Sequence, residues 1–342
     1  MRQSLTSAIA LSVAVLLMTT PASADSRKGQ KPVVIPNVAV GVANGLSEVS
    51  LYSFQSGKLT KKFRVEKGKF TGGISVAVGD VNGDGLRDIV TGAGPGTAPY
   101  VRVFNAAGKQ TLAFLALDPA FRGGVSVAVG DVNGDGADDI VVGAGAGGLP
   151  IVKVFHGVTL AVLFSFYGYD QSFTGGVNVA AGDTNNDGFS DIIVAPKAGG
   201  QPRVSIFSGT DLTTLESFYP YDSSFLGGVN VAAGDVDGDG LEEVITGMGA
   251  GGAPQVGIFS GYDGSEQARF TAFEPAFTGG VSVASTDVNG DGIADVVVGT
   301  GPSSTPAVRA FNGVDLSLLR EQRLQKNKNK YGSGVSLGAF HR

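Results

Sequence analysis

Three observations predict an all-β fold: one motif recurs five times at a spacing of 51 or 52 residues, each copy reads as four short strands, and the two chain ends carry the complementary parts of a sixth copy. Together they describe a six-bladed β-propeller of four-stranded blades, closed by sharing one blade between the N- and C-termini.

The motif is GGxxVAxxDxNxDG with small changes, its leading aspartate at Asp80, Asp131, Asp183, Asp235 and Asp287. In the first copy Ile74, Val76 and Val78 alternate with Ser75, Ala77 and Gly79, the period of a strand with one large and one small face. Asp88–Thr91, Tyr100–Phe104 and Thr111–Leu117 follow as three more strands, separated by Gly, Pro and Asn turns. At the N-terminal end, Val38–Val42 resembles the second strand of a unit; near the C-terminus, Gly334–Gly338 resembles a first strand. Pairing the two in one sheet closes the ring and removes two exposed sheet edges.

Residues 1–24 have Arg2 ahead of an apolar run and end in Ala22-Ser23-Ala24, the layout of a cleavable secretory signal. Residues 25–32 read as a polar linker and 33–342 as the propeller, so the chain is expected to be secreted or periplasmic. The apolar run is too short to span a bilayer, and no later stretch is long enough. Removing Arg2 takes the formal charge of −6 to −7, a mild acidic balance that argues against general nucleic-acid binding. The chain has no cysteine and therefore no disulfide or thiolate zinc site. Its 54 glycines sit in a strict period rather than in low-complexity sequence.

Between the first two strands every full unit places acidic or amide oxygens at alternate positions, followed by glycine. The sets are Asp80, Asn82, Asp84 and Asp88; Asp131, Asn133, Asp135 and Asp139; Asp183, Asn185, Asp187 and Asp191; Asp235, Asp237, Asp239 and Glu243; and Asp287, Asn289, Asp291 and Asp295. Leu86, Ala137, Phe189, Leu241 and Ile293 each offer a backbone carbonyl at the seventh position. Oxygen donors without His or Cys select a hard cation, and six or seven flexible donors favour calcium over magnesium. Position twelve is Thr91, Val142, Val194, Thr246 or Val298 rather than the glutamate of an EF-hand, so the last side-chain ligand falls at position nine. The loops hold 16 of the 31 acidic residues. Asx-rich turns alone would leave these clustered carboxylates to repel one another. About five calcium ions are expected, which would move the charge of the mature chain to about +3.

These units resemble the FG-GAP or VCBS repeats of bacterial surface and secreted proteins, akin to the propeller of integrin α subunits. The resemblance covers nearly all of the chain after the signal. It implies that the DxDxDGxxD loop between the first two strands binds calcium on one face of the disc. Two departures stand out: Glu243 replaces the ninth-position aspartate, and the shared blade has no such loop. Relatives of this kind include adhesins, lectins and lyase propellers, so the resemblance does not set an activity.

Other motifs carry blander readings. His156 occupies a place filled by Asn105, Ser208, Ser260 and Asn312 elsewhere and reads as a turn residue. Gly143, Gly145 and Gly148, like Gly247, Gly249 and Gly252, spell GxGxxG but precede a proline and a strand rather than the helix of a dinucleotide site. Asp118, Asp170, Asp222 and Glu274 recur between blades, with Tyr169 and Tyr221 beside two of them. They read either as caps of the blade junctions or as a sugar-stacking surface. Lys58, Lys61, Lys62, Arg64, Lys67 and Lys69 cluster in one outer strand region and Arg320, Arg323, Lys326, Lys328 and Lys330 in another, predicting a basic sector on the rim. Edge protection and partner binding both account for it. The expected function is a binding or adhesion module, lectin-like, for a glycan or surface protein, with an anionic polysaccharide as one candidate. A polysaccharide-processing lyase or hydrolase is the alternative, and a subunit of a larger surface assembly is a third reading.

Overall fold

The computed structural model describes residues 38–42, 47–53, 56–66, 70–302, 306–324 and 334–339. The expected signal and linker, and Lys67, Lys69, Lys326, Lys328 and Lys330, lie outside these. The described residues form 24 strands in six sheets of four. Blade 1 runs β4 (Ile74–Gly79), β5 (Asp88–Ala93), β6 (Tyr100–Phe104) and β7 (Gln110–Leu115). Blades 2 to 5 repeat this order, beginning at β8 (Val125–Gly130), β12 (Val177–Gly182), β16 (Val229–Gly234) and β20 (Val281–Thr286).

Blade 6 is the shared one. Its order is β24 (Val335–Ala339), β1 (Val38–Val42), β2 (Glu48–Ser53) and β3 (Lys58–Arg64). The antiparallel register runs from Val38 opposite Ala339 to Val42 opposite Val335. The first strands of successive blades neighbour one another, and β24 touches both β20 and β4, so the ring is closed. No helix of the described residues is long and apolar enough to cross a membrane.

The alternation read in the sequence explains why sheets pack radially. One face of each first strand carries valines; the other carries Ala77, Ala128, Ala180, Ala232, Ala284 or Gly338, and these line a narrow axial channel with a free volume of about 70 Å³ at its waist. Small residues there let six strands converge. The apolar core divides into six clusters, each joining two neighbouring blades; Val38, Val40, Val335 and Leu337 of blade 6, for example, pack with Val297 and Val308 of blade 5.

Two devices staple the junctions at their inner and outer ends. Near the axis, side chains at the second position of the first strands bond the next blade. Val76 N–H donates to Ser336 Oγ (3.2 Å) and Val127 N–H to Ser75 Oγ (3.0 Å). Ser126 Oγ donates to Val177 O (2.7 Å), Asn178 Nδ2 to Val229 O (2.8 Å) and Asn230 Nδ2 to Val281 O (2.8 Å). Farther out, at five of the six junctions a phenylalanine of one blade's fourth strand meets one ending the next blade's third strand: Phe63–Phe104, Phe114–Phe155, Phe166–Phe207, Phe218–Phe259 and Phe270–Phe311, with ring centroids 4.7–5.1 Å apart. Tilted and edge-on geometries of this kind add to the area they bury.

Candidate metal sites

Each acidic loop joins the first two strands of a blade, so all five lie on one face of the ring. The first aspartate folds the loop over itself: Asp80 accepts from Asp84 N–H (3.1 Å) and Gly85 N–H (2.7 Å), and Asp131 accepts from Gly134 and Gly136 N–H (2.7 and 2.8 Å). The glycine after the fifth-position aspartate has φ between 79° and 96° in all five loops, a conformation that costs a residue with a Cβ. Two residues earlier four loops also use a left-handed glycine; the third uses Asn186 (φ 57°), the residue type best able to replace it. At the seventh position the N–H of Leu86, Ala137, Phe189, Leu241 and Ile293 donates to the preceding aspartate at 2.8–3.0 Å.

The ninth-position acids Asp88, Asp139, Asp191, Glu243 and Asp295 begin the second strands and are at most 2% exposed. Each of the last four accepts an N–H from the loop's second residue: Val132, Thr184, Val236 and Val288, at 2.8–3.2 Å. Asp139, Asp191 and Asp295 also accept from the glycine after the third strand, Gly157, Gly209 or Gly313 (3.1–3.2 Å). Glu243 instead meets Gln267 Nε2 at 3.4 Å.

Burial, with carboxylates close by, pushes Asp88 up to about 7; Asp84 and Asp80 are its neighbours. Glu243 is raised to about 7 by burial and then Asp237 and Asp239. Asp139 is raised to about 6, and Asp191 and Asp295 are also raised, chiefly by burial. A buried carboxylate facing further carboxylates is costly unless a cation or a proton neutralises it. In the fourth loop Asp235, Asp237 and Asp239 bring one oxygen each within 4.8 Å of one another. These donor sets fit a hard divalent cation.

The loops are also tied blade to blade, which their spacing did not reveal. The N–H of the eighth residue donates to the carbonyl of the preceding loop's first aspartate: Asp138 to Asp80 (2.8 Å), Ser190 to Asp131 (2.8 Å), Glu242 to Asp183 (3.1 Å) and Ala294 to Asp235 (2.9 Å). Side chains at this eighth position turn to the axis, where Arg87, Asp138, Ser190 and Glu242 line the acidic end of the channel. Burial, then Asp183 and Asp235, raise Glu242 to about 8. His156 does sit in a turn, its N–H donating to Ala161 O, but its Nε2 also lies 3.3 Å from Asp135 Oδ2.

On the opposite face, the tyrosines read as a possible sugar platform turn their hydroxyls into the next blade. Tyr169 bonds Val194 O (3.2 Å) and Arg203 O; Tyr221 meets Thr246 Oγ1 and Gln255 O (3.2 and 3.3 Å). Asp118, Asp170 and Asp222 close turns on Ala120, Ser172 and Ser224 N–H. This is the capping role. On the rim, Lys58 and Lys61 are exposed, but Lys62 pairs with Glu48 (2.7 Å) and Arg323 with Glu321 (2.6 Å), so part of the basic sector is internally neutralised.

Fold and loops define a repeat propeller with an acidic, cation-fitting loop at the same end of five blades. Models of known families agree: an FG-GAP-like repeat matches residues 80–142 and 183–246, and an FG-GAP repeat matches 279–313. The chain carries FG-GAP-like repeats on its six-bladed propeller and is similar to integrin α subunits. It is 28% identical to integrin alpha-5 of Xenopus laevis over 58% of this chain and 21% of the integrin. It is 31% identical to integrin alpha-V of Gallus gallus and 34% identical to integrin alpha-8 of Gallus gallus, each over 40% of this chain and 15% of the integrin. The matched region spans about a fifth or less of these relatives' length. Among solved structures, the C-terminal WD40 domain of Sif2 aligns over 84% of this chain and 69% of its own, with a TM-score of 0.42 and 15% identity.

Proposed function

We propose that this chain is an exported binding module, braced by a calcium ion in each of its five acidic loops, that recognises a protein or glycan on a surface. The observation that carries the reading is the set of five ninth-position carboxylates, buried against acidic neighbours with their pKa values raised. A bound divalent cation removes that penalty and, through the loop-to-loop hydrogen bonds, tightens every junction it touches. The ligands of each ion are the acids and amides at positions one, three, five and nine and the carbonyl at position seven. A propeller held in this way presents a rigid face of loops, and the likeness to integrin α subunits supports use of that face for a macromolecular partner.

Thermal melting with calcium and with a chelator tests the bracing, because a ligand of the folded state alone raises its stability. A midpoint higher by several degrees in calcium is expected; an unchanged midpoint overturns it. Recognition is tested by arrays of acidic polysaccharides, neutral glycans and extracellular proteins, read with and without calcium. Retention of one class that fails in chelator supports the module; retention of none overturns it.

A further inference from the structure

We infer that the mouth of the axial channel opposite the acidic loops is a binding site for one small carboxylate, held by Lys197. The mouth is a cavity of about 450 Å³ to which all six blades contribute, within the size range of small-ligand sites. Its walls are glycines and small residues, its floor the ring of Ser75, Ser126, Asn178, Asn230, Ser282 and Ser336. Lys197 is the sole charged residue among the described residues that line it.

Lys197 breaks the repeat. The four other full units place Gly94, Gly145, Gly249 and Gly301 at this position, directly after the second strand. Glycine is required there by packing: a Cβ on any of the four would lie 1.9–2.1 Å from the carbonyl oxygen of Gly72, Gly123, Gly227 or Gly279. In blade 3 the chain keeps the same backbone bond, Lys197 N–H to Gly176 O at 2.8 Å, matching Gly94 to Gly73 and Gly249 to Gly228. Yet it accommodates a side chain, and its carbonyl faces Gly228, where a Cβ would come within 1.8 Å. The propeller thus departs from its own repeat at one blade of the ring, and the departure puts a lysine among the residues lining the cavity.

Lys197 is exposed to solvent at the mouth, and the protein atoms around it lower its pKa through a partial loss of hydration. No acidic residue among those lining the cavity balances it. An incoming carboxylate supplies the charge-assisted hydrogen bond that the site lacks. One point charge without an arginine fork suits a monoanionic group rather than a phosphate dianion. The seryl and asparaginyl ring beneath offers hydrogen bonding to the remainder of a small polar ligand. Because Lys197 has no counterpart, the ring has one such site rather than six.

This inference rests on the reading of the chain as a binding module, but not on the acidic loops. The test titrates the calcium-loaded chain by calorimetry with galacturonate, succinate and neutral galactose. Lys197→Gly, which restores the residue of the other blades, and Lys197→Gln, which keeps the length without the charge, are measured alongside. Binding of galacturonate or succinate at one per chain, weakened at least tenfold in both variants and absent for galactose, is the expected result. Galacturonate alone would mark an acidic sugar as the source of the carboxylate, succinate alone a dicarboxylate or acidic side chain. No binding of either carboxylate, or equal affinity in parent and Lys197→Gly, overturns the site. The calcium-dependent melting shift, read on the same samples, separates the two proposals: an intact shift without carboxylate binding rejects the Lys197 site alone.

Discussion

Glu243 Oε2 accepts the backbone N–H of Val236 at 3.0 Å, the bond that Asp139 makes to Val132 at 3.2 Å in another blade. The longer acid reaches the equivalent donor from the same register position, Glu243 opposite Gly234 as Asp139 is opposite Gly130. Its second oxygen then meets Gln267 rather than the glycine N–H that Asp139, Asp191 and Asp295 use. The fourth loop also carries Asp237 where the others carry asparagine. It should therefore bind calcium with an affinity distinct from the other four. Calorimetric titration is expected to resolve one site apart from the rest, and the double change Asp237→Asn with Glu243→Asp should merge it with them. Five indistinguishable sites in the parent would contradict this.

The raised carboxyl groups make the cation-free protein sensitive to pH. Asp139, Asp88, Glu243 and Glu242 have folded-state values of about 6, 7, 7 and 8, all above their unfolded values. The folded chain thus holds protons that the unfolded chain has released, and stability falls as pH rises through that window. In chelator the melting temperature should be highest near the unfolded carboxyl values, decline from about pH 5 to about pH 8, and flatten when calcium is added. A chelated protein whose midpoint rises over the same range would show that these groups are not protonated on folding.

Asp88→Asn separates repulsion from ligation in a single loop. Without calcium at pH 8 the variant should melt a few degrees above the parent, since an unpaired buried charge has gone. With calcium it should melt below the parent, having lost one ligand. The crossing of the two differences is the readout, and a variant less stable under both conditions would assign Asp88 a purely structural role.

Around the axis, Asn178 and Asn230 each donate to the next blade at 2.8 Å. Replacing either with alanine leaves a carbonyl near the channel without its partner, at a cost of about 1–3 kcal/mol. Denaturant titration should show this loss with an unchanged slope. Serine at either position, the residue of the neighbouring blades Ser126 and Ser282, should recover most of it.

Removing residues 334–342 takes β24 from blade 6 and strips Val335 and Leu337 from the core they share with blade 5. The edge of β1 that β24 pairs is then exposed. The truncated chain should associate or lose its cooperative transition, as sedimentation and calorimetry would report. A soluble monomer of parental stability would mean that pairing of the termini does not hold the ring closed.

Much of this architecture is legible in the sequence because each blade repeats it. Alternation of Ile74, Val76 and Val78 with small residues, the aspartate spacing from Asp80 to Asp88, and the half-units at Val38–Val42 and Gly334–Gly338 are local patterns, and local patterns decide strands, turns and ligand loops. The sequence alone therefore determined the six-bladed count, the shared blade and the acidic loops. What it left open depends on closure. Only when six strands converge do second-position residues such as Asn178 bond the next blade, does Phe114 find Phe155 at 4.9 Å, and does an eighth-position acid such as Glu242 face the carboxylates of another loop. His156 and Lys62 read singly as a turn residue and a rim cation, and their partners Asp135 and Glu48 come from separate strands and loops. Lys197 is the clearest case: in sequence it is one lysine after a strand, and the ring places it at the axis, because the distance from a residue to a propeller's centre is set by the packing of all the blades together.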